Sequence, residues 1–357
     1  MKKIYNFSSG PSILPKEVFI NAAGGILDFN NTGLSILEIS HRSPEFISVL
    51  DEAESLVREL LNVPEEYAVL FLSGGASSQF FQVPMNLLSD SGTAAYIDTG
   101  IWSAKAIKEA SNFGNVSVIA STKDSGYDRI PENYDIPLDA DYLHITSNNT
   151  IYGTQFRDFP NTRIPLICDM SSDIFSRPIN VSDFGMIYAG AQKNMGPAGA
   201  TLVIIRKDLA GKGLRKMPTI LDYKVQIENG SMFNTPPVFA IYTSMLTLRW
   251  LKSFGGIKEI FPQNKEKARL LYEEIDRNSL FECPVLNEYR SIMNVVFDLK
   301  NLDLTEAFLK LCMERNINGI KGHRTRGGFR ASIYNAMEME GVEVFIQVLK
   351  EFENSNG

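Results

Sequence analysis

Short apolar segments alternate with helical patterns over the first two thirds of the chain. A helical pattern begins at Ser43-Pro44, where a capping serine precedes a proline at the first helical position. Seven apolar segments of strand length follow, at residues 67–72, 94–98, 115–120, 141–146, 163–169, 185–190 and 200–206. Because buried strands alternating with helices favour a mostly parallel sheet covered on both faces, the pattern predicts an α/β domain.

The pattern changes after an apolar helix that ends near Gly255-Gly256. The following segments predict a helix over 265–275, a strand over 292–297 and helices over 305–314 and 342–352, with the segment GGFRASIYNA between the last two helices. This mixture predicts a second, smaller α+β domain.

Composition narrows the possible functions. The 35 lysines and arginines against 42 aspartates and glutamates give a net charge of −7, which argues against nucleic acid as a partner. Three scattered cysteines without a C-x-x-C pair favour the cytoplasm over a disulfide framework. The start of the chain lacks the apolar region of a signal peptide, and no apolar run approaches the roughly 18 residues that a membrane span needs. We therefore expect a cytoplasmic protein that does not cross a membrane.

One lysine, Lys193, lies in a glycine- and alanine-rich loop between two apolar segments, in IYAGAQKNMGPAGATLVII. Its ordinary interpretation is a loop lysine whose ammonium reaches water. The alternative is a partly buried lysine with a lowered pKa, able to form a Schiff base with an aldehyde. Small neighbours such as Gly190 and Gly196 leave room for a flat cofactor, so the segment indicates a pyridoxal-type site.

Asp169 ends the apolar segment 163–169, upstream of Lys193. A pyridoxal cofactor requires a carboxylate opposite its ring nitrogen, because a protonated pyridinium stabilises the carbanion formed during the reaction. A strand-terminal aspartate can instead cap the next turn. The combination with Lys193 favours the cofactor interpretation.

Two further segments could complete such a site. SGGASSQF, at 73–80, places glycines and serines at the start of a helix, where backbone N–H groups bind phosphate. Trp102 follows another predicted strand and could stack on an aromatic ring. Either signal alone is weak, because a plain glycine turn and a core tryptophan explain the same residues.

Cationic residues form two His-Arg pairs, His41-Arg42 and His323-Arg324, with Arg330 following the second. The three histidines are too dispersed for a metal-ligand motif, so we expect no metal site. Forked arginine donors suit carboxylate and phosphate groups. Surface ion pairs are the alternative, but the glycine-punctuated cluster predicts a substrate with several negative charges.

Taken together, these residues resemble the phosphoserine aminotransferases of the fold-type I pyridoxal-phosphate enzymes. The matching segments span nearly the whole chain and include NFSSGPSILP, HRSPEF, GGASSQF, YAGAQKNMGPAG, GSMFNTPP and KGHRTRGGFRASIYNAM. The resemblance implies a large domain, residues 16–255, with a mostly parallel seven-stranded-type sheet covered by helices. It implies that residues 1–15 and 256–357 form the smaller α+β domain.

The resemblance also implies an activity. Amino transfer from L-glutamate to 3-phosphohydroxypyruvate would give 2-oxoglutarate and O-phospho-L-serine in serine biosynthesis. Many such enzymes also act on the phosphorylated hydroxythreonine precursor of pyridoxal phosphate. The cofactor would be pyridoxal 5'-phosphate.

Each matching residue acquires an implied role. Lys193 would form the Schiff base and transfer the proton, and Asp169 would pair with the pyridinium. The other implied cofactor-binding residues are Ala76, Ser77, Trp102, Thr150 and Gln192, with Asn234 and Thr235 reaching the cofactor of a neighbouring subunit and so implying a homodimer. The implied substrate-binding residues are Ser9, His41, Arg42, His323, Arg324 and Arg330.

One departure and two alternatives accompany this interpretation. Some family members carry Gly-Arg where this chain has Ala76-Ser77. The negative charge of substrate or phosphate that this arginine binds must therefore be bound by other residues here. Another pyridoxal-phosphate enzyme on the same scaffold, such as an alanine–glyoxylate type transaminase or a cysteine desulfurase, is one alternative. A non-catalytic protein that binds a phosphorylated ligand is the other.

Overall fold

The computed structural model describes residues 3–213 and 215–357. Its α-helices, in chain order, are α1 Lys16–Leu27, α2 Pro44–Leu61, α3 Gly75–Leu87, α4 Ile101–Ala110, α5 Tyr223–Glu228, α6 Val238–Ser253, α7 Gly256–Arg277, α8 Thr305–Glu314 and α9 Met339–Asn356. None of the helices in the described ranges combines the length and the apolar character needed to cross a membrane.

The strands frame two separate sheets and a short strand pair. In chain order they are β1 Tyr5–Asn6, β2 Tyr67–Ser73, β3 Thr93–Asp98, β4 Asn115–Ser121, β5 Tyr142–Thr146, β6 Leu166–Asp169, β7 Met186–Gly190, β8 Ala200–Arg206, β9 Phe281–Glu282, β10 Asn294–Leu299, β11 Ile317–Asn318 and β12 Phe329–Ser332.

Strands β2 to β8 form a seven-stranded sheet in the order β2-β8-β7-β6-β5-β3-β4. Only β8 is reversed: it pairs antiparallel with both β2 and β7, whereas the other pairs are parallel. Strands β2, β3, β5, β6 and β7 therefore end at one edge, which we call the carboxyl edge. The predicted α/β fold with a mostly parallel sheet is confirmed.

Helices bury both faces of this sheet. One face packs against α1, α2 and α6 through residues such as Val57 and Ile187, and the opposite face packs against α3 and α4 through Phe80 and Tyr188. Burial on both sides explains why the strands read as continuous apolar runs rather than as alternating patterns.

The C-terminal part has its own core. Strands β12, β10 and β9 form an antiparallel sheet, and the rings of Phe297, Phe308 and Phe345 pack between it and the helices α8 and α9. The parallel pairing of β1 with β11 supports grouping the N-terminal residues with this part. The domain limits given above stay a prediction.

Element boundaries differ from the sequence pattern in three instructive places. The pattern starts the helix after the glycine turn at Gln79, but α3 starts at Gly75, because Gly74 takes a positive φ of 104° and turns the chain at once. The strand predicted over 163–169 starts only at Leu166, since Pro165 has no N–H to donate. Helix α1 was not predicted because its exposed face carries Phe19 and Ile20, which mask its amphipathic pattern.

Candidate active site

The carboxyl edge collects five chain segments at one place. Ser73 at the end of β2 leads into α3, Asp98 at the end of β3 leads into α4, and Thr146 at the end of β5 leads into the segment that contains Thr150. Asp169 is the last residue of β6, and β7 leads directly into the Lys193 loop. Ligands of open α/β sheets bind at such an edge.

Lys193 is half-buried, and its ammonium is held by a single hydrogen-bond partner. The Nζ donates to the hydroxyl oxygen of Thr150 at 2.7 Å and lies 5.6 Å from the centroid of the Trp102 ring. Burial lowers the pKa of Lys193 to about 8, against the opposing attraction of Asp169. About a tenth of this amine is therefore neutral, and nucleophilic, at pH 7, and about half at pH 8.

Asp169 is almost fully buried at the end of β6. Its Oδ1 accepts the backbone N–H of Ser171 at 2.9 Å. Burial raises the pKa of the Asp169 carboxyl, whereas the neighbouring Lys193 acts in the opposite direction. A buried carboxylate in this position is stabilised by any cationic group placed opposite it.

Trp102 lies in the first turn of α4 with its ring half-buried. Its indole Nε1 is buried and makes no hydrogen bond with the described residues. The ring is therefore held by packing, including contact with Phe80, and one face is turned toward the Lys193 ammonium. This is the arrangement that a stacking platform requires.

The start of α3 offers backbone donors beside the sheet edge. Ala76 is half-buried and Ser77 is exposed, and both lie in the first turn, whose N–H groups have no acceptor within the helix. No side chain caps this end, because the capping position is Gly74. An anion placed here would meet free N–H groups and the positive end of the helix dipole.

Arg330 connects the C-terminal part to the Lys193 site. Its side chain is buried in β12 and donates to the Ser9 hydroxyl at 2.7 Å and to the Thr150 carbonyl at 3.3 Å. The Arg330 Nε is buried without a partner among the described residues. Because Thr150 also binds Lys193, the guanidinium and the ammonium share one residue as a bridge.

The loop before β12 presents His323 and Arg324 at its surface. His323 is half-buried, and its Nδ1 accepts the backbone N–H of Thr325 at 3.2 Å, which leaves the ring proton on Nε2. Burial, together with the charges of Arg330, Arg324 and Lys105, lowers the pKa of His323. His323 is therefore a neutral hydrogen-bond donor near pH 7.

The remaining predicted residues are less closely joined to Lys193. The backbone carbonyl of Gln192 accepts the N–H of Ser12 at 3.0 Å, which fixes the loop beside Lys193. Asn234 lines a cavity of about 240 Å³ together with Ser73 and Gly74, close to the start of α3. Thr235 is exposed and accepts a hydrogen bond from Asn234.

His41 and Arg42 stand apart from the other predicted residues. They lie before α2, where the Arg42 Nε donates to His41 at 3.4 Å. No hydrogen bond or ion pair within the described ranges connects either side chain to Lys193, Thr150 or Arg330.

A buried asparagine network supports the site and was not predicted. The backbone N–H of Asn335 donates to the Asn194 side chain at 2.9 Å, and its own side chain donates to the Phe175 carbonyl at 2.9 Å. Asn264 in α7 donates to the Asn335 oxygen at 2.8 Å. These residues lie in three distant segments, so no local sequence pattern could reveal the network.

The residues present fit pyridoxal phosphate. An amine of lowered pKa, a buried carboxylate, an aromatic face and a helix start with free N–H groups occur at one sheet edge, which matches the aldehyde, ring nitrogen, ring face and phosphate of that cofactor. Among the described residues, no group of three or more potential metal-binding side chains competes for this place.

Comparisons with known proteins agree with this chemistry. The aminotransferase class-V family model matches residues 4–345. The phosphoserine aminotransferase of Flavobacterium psychrophilum is 56% identical over 355 residues, which are 99% of each chain. The solved phosphoserine aminotransferase from Bacillus circulans subsp. alkalophilus has a TM-score of 0.98 and 43% identity, with full coverage of both chains.

A solved structure also identifies the cofactor of a relative. The phosphoserine aminotransferase from Trichomonas vaginalis, described as bound to pyridoxal phosphate, has a TM-score of 0.93 and 38% identity, and the match covers 98% of this chain and all of that one. The chain therefore belongs to the phosphoserine aminotransferases, a pyridoxal-phosphate-dependent group within the class-V aminotransferase family.

Proposed function

We propose that this chain catalyses the reversible transfer of an amino group between L-glutamate and 3-phosphohydroxypyruvate, giving 2-oxoglutarate and O-phospho-L-serine. The observation that carries the proposal is the position of Lys193, whose amine of lowered pKa contacts Thr150 and faces Trp102 beside the buried Asp169. The same groups would serve the phosphorylated hydroxythreonine substrate, which also bears a phosphate.

The chain's own residues would hold the cofactor at four points. Lys193 would hold its aldehyde carbon, Asp169 its ring nitrogen, Trp102 its ring face, and the N–H groups of Ala76 and Ser77 its phosphate. Thr150 and Gln192 border the same space. When bound, pyridoxal phosphate supplies a ring that takes up the electrons left when a proton departs from the substrate Cα.

Lys193 would also move that proton. A base is most effective when its pKa lies near the working pH, and a pKa of about 8 satisfies this condition. Once the incoming amino group has displaced it, the neutral Lys193 amine would remove the proton from the substrate Cα. The Thr150 hydroxyl oxygen accepts a hydrogen bond from the same nitrogen and would orient it.

The substrates require two anion sites because each carries an α-carboxylate and a distal anion. Arg330 would bind the α-carboxylate, since its fork is buried next to Thr150 and is supported by Ser9. His323 and Arg324 would bind the distal phosphate or carboxylate. Their open position leaves their donors available to a ligand.

A homodimer would complete each site with residues of the neighbouring subunit. His41 and Arg42 would reach the neighbouring subunit's substrate, and Asn234 and Thr235 its cofactor phosphate. An exposed apolar surface next to this segment supports such contact; α1 and the following loop contribute Phe19, Ile20, Leu27, Leu34 and Leu37. Isologous pairing would complete both sites at once.

The alternative activities have less support. A desulfurase requires a reactive cysteine at the site, but burial raises the pKa of Cys168, Cys283 and Cys312, which keeps these thiols protonated. A protein that only binds a phosphorylated ligand has no need of an amine and a buried carboxylate at one sheet edge.

All three cysteines are free, which supports a cytoplasmic location.

The absorption spectrum of the purified holoenzyme tests the proposal. We expect O-phospho-L-serine alone to bleach the yellow band and 2-oxoglutarate to restore it, because each compound drives one half of the reaction. A spectrum that responds only to an amino acid with an uncharged side chain would overturn the substrate assignment. A protein that takes up no chromophore would overturn the enzyme assignment itself.

A further inference from the structure

Lys105 is a cation beside the site for which the sequence motifs gave no role. It lies in α4 one turn after Trp102, and its Nζ is 4.6 Å from the centroid of the Trp102 ring. The Lys193 Nζ lies 5.6 Å from the centroid of the same ring, so both ammonium groups lie close to one indole. The described part of the chain gives Lys105 neither a salt bridge nor a hydrogen bond.

The loop that carries His323 lies within electrostatic reach of Lys105. The positive charges of Arg330, Arg324 and Lys105 all act on the His323 ring and disfavour its protonation. His323 therefore contributes a hydrogen bond but no charge near pH 7. Arg330 is buried and already donates to Ser9 and Thr150. Arg324 carries a full charge in this loop and is exposed.

We propose that Lys105 is a specificity-determining residue that binds the distal phosphate of the substrate and favours it over a distal carboxylate. This inference rests on the proposed function and names a residue for its anion site. The ammonium is exposed, unpaired and carried on a flexible stem next to Trp102, so it can approach a ligand placed between that ring and the His323 loop.

The preference follows from charge. A phosphate monoester carries close to two negative charges above its second pKa of about 6, whereas the glutamate side chain carries one. Coulomb attraction by one ammonium is therefore about twice as large for the phosphate at equal distance. Arg324 and Arg330 stay charged with either ligand, so the loss of Lys105 alone should change the difference in affinity between the phosphate and the carboxylate.

The test compares Lys105→Met with Lys108→Met, a matched control in the same helix whose lysine is also exposed. We measure KM and kcat of the holoenzymes in each half-reaction, with O-phospho-L-serine and with L-glutamate. At pH 8 and low salt we expect Lys105→Met to raise KM about tenfold for O-phospho-L-serine and about threefold for L-glutamate, with little change in kcat. Lys108→Met should match the wild type, and Lys105→Arg should restore most of the affinity.

A second measurement at pH 5.5 separates charge from structure. The phosphate is then largely a monoanion, so the tenfold effect of Lys105→Met should fall to about threefold. Equal changes for both substrates at both pH values, or no change in either KM, would overturn the inference. Failure of the wild type itself to react with O-phospho-L-serine would overturn the proposed function first, and the two failures are therefore distinguishable.

Discussion

The Lys193 site and the His323 loop differ in how far their polar side chains are hydrogen-bonded within the protein. At the Lys193 site, Asp169 is bonded to Ser171, Lys193 to Thr150, and the loop itself to Asn335 through Asn194. In the His323 loop, Arg324 is exposed, and Lys105 nearby contacts the Trp102 ring but makes no salt bridge or hydrogen bond with the described residues. The groups to which we assign the chemistry, which we call the fixed region, are therefore hydrogen-bonded within the protein before a substrate binds. The groups that we propose for its distal charge are open to a ligand.

The largest effect should follow from removing the side chain of Lys193, at the centre of the fixed region. Lys193→Ala should lower kcat by at least about 10⁴-fold, because it removes both the covalent partner and the base. The steady-state rate with L-glutamate and 3-phosphohydroxypyruvate measures this effect, and the circular dichroism spectrum should match that of the wild type. A variant that keeps the wild-type rate would refute the assignment of Lys193.

Arg330 lies where the two regions meet, and its loss should affect both substrates equally. Arg330→Lys keeps the charge but loses the fork, so KM should rise about 30-fold for both L-glutamate and O-phospho-L-serine, which share an α-carboxylate. Kinetics of the two half-reactions measure the effect. A rise for only one substrate would place Arg330 at the distal group instead.

The asparagine network should set the stability of the fixed region. Asn335→Ala leaves the Phe175 carbonyl and the Asn264 amide without their partner, which should cost about 2 kcal/mol of unfolding free energy. Urea unfolding checks this value. The kcat should change little, because the backbone N–H that the Asn194 side chain accepts is kept in Asn335→Ala. Asn161→Ala, at an exposed position, is the control; equal stability of both variants would contradict the role of the network.

The smallest effect concerns acid stability beneath the site. His144 is fully buried against Tyr188, and burial lowers its pKa from 6.5 to about 3. Below pH 6.5 the His144 ring therefore binds a proton in the unfolded chain but not in the folded one. The contribution of the neutral ring to the unfolding free energy is present above pH 6.5 and is lost as the pH falls toward 3. Between pH 6 and pH 5 the wild type should lose about 1 kcal/mol more of its unfolding free energy than His144→Gln. Parallel losses in the two proteins, measured by urea unfolding at one protein concentration, would exclude His144 as the cause.

Much of the fixed region could be predicted because its signals are local. The strand that ends at Asp169 and the small-residue loop around Lys193 each lie within one short segment, and hydrophobic pattern alone places both at a strand end. Their placement at a common edge follows from the parallel arrangement of the strands.

The contacts that join distant segments could not be predicted in this way. Arg330 meets Ser9 across 321 residues of chain and Thr150 across 180, and Asn335 meets Asn194 across 141. For Lys105, the only local sequence signal of its place beside the site is its spacing of one helical turn from Trp102. Such contacts depend on tertiary packing, which residue patterns do not encode position by position.

The reversed direction of β8 has a consequence for how Lys193 can move. Because β8 returns antiparallel beside β7, the loop of residues 191–199 is tied into adjacent strands at both ends, like the tip of a hairpin. A short loop closed by paired strands has few conformations to lose. The reach of the amine is therefore set by rotations within the lysine side chain. The distance over which Lys193 would move a proton is limited by the same few bonds.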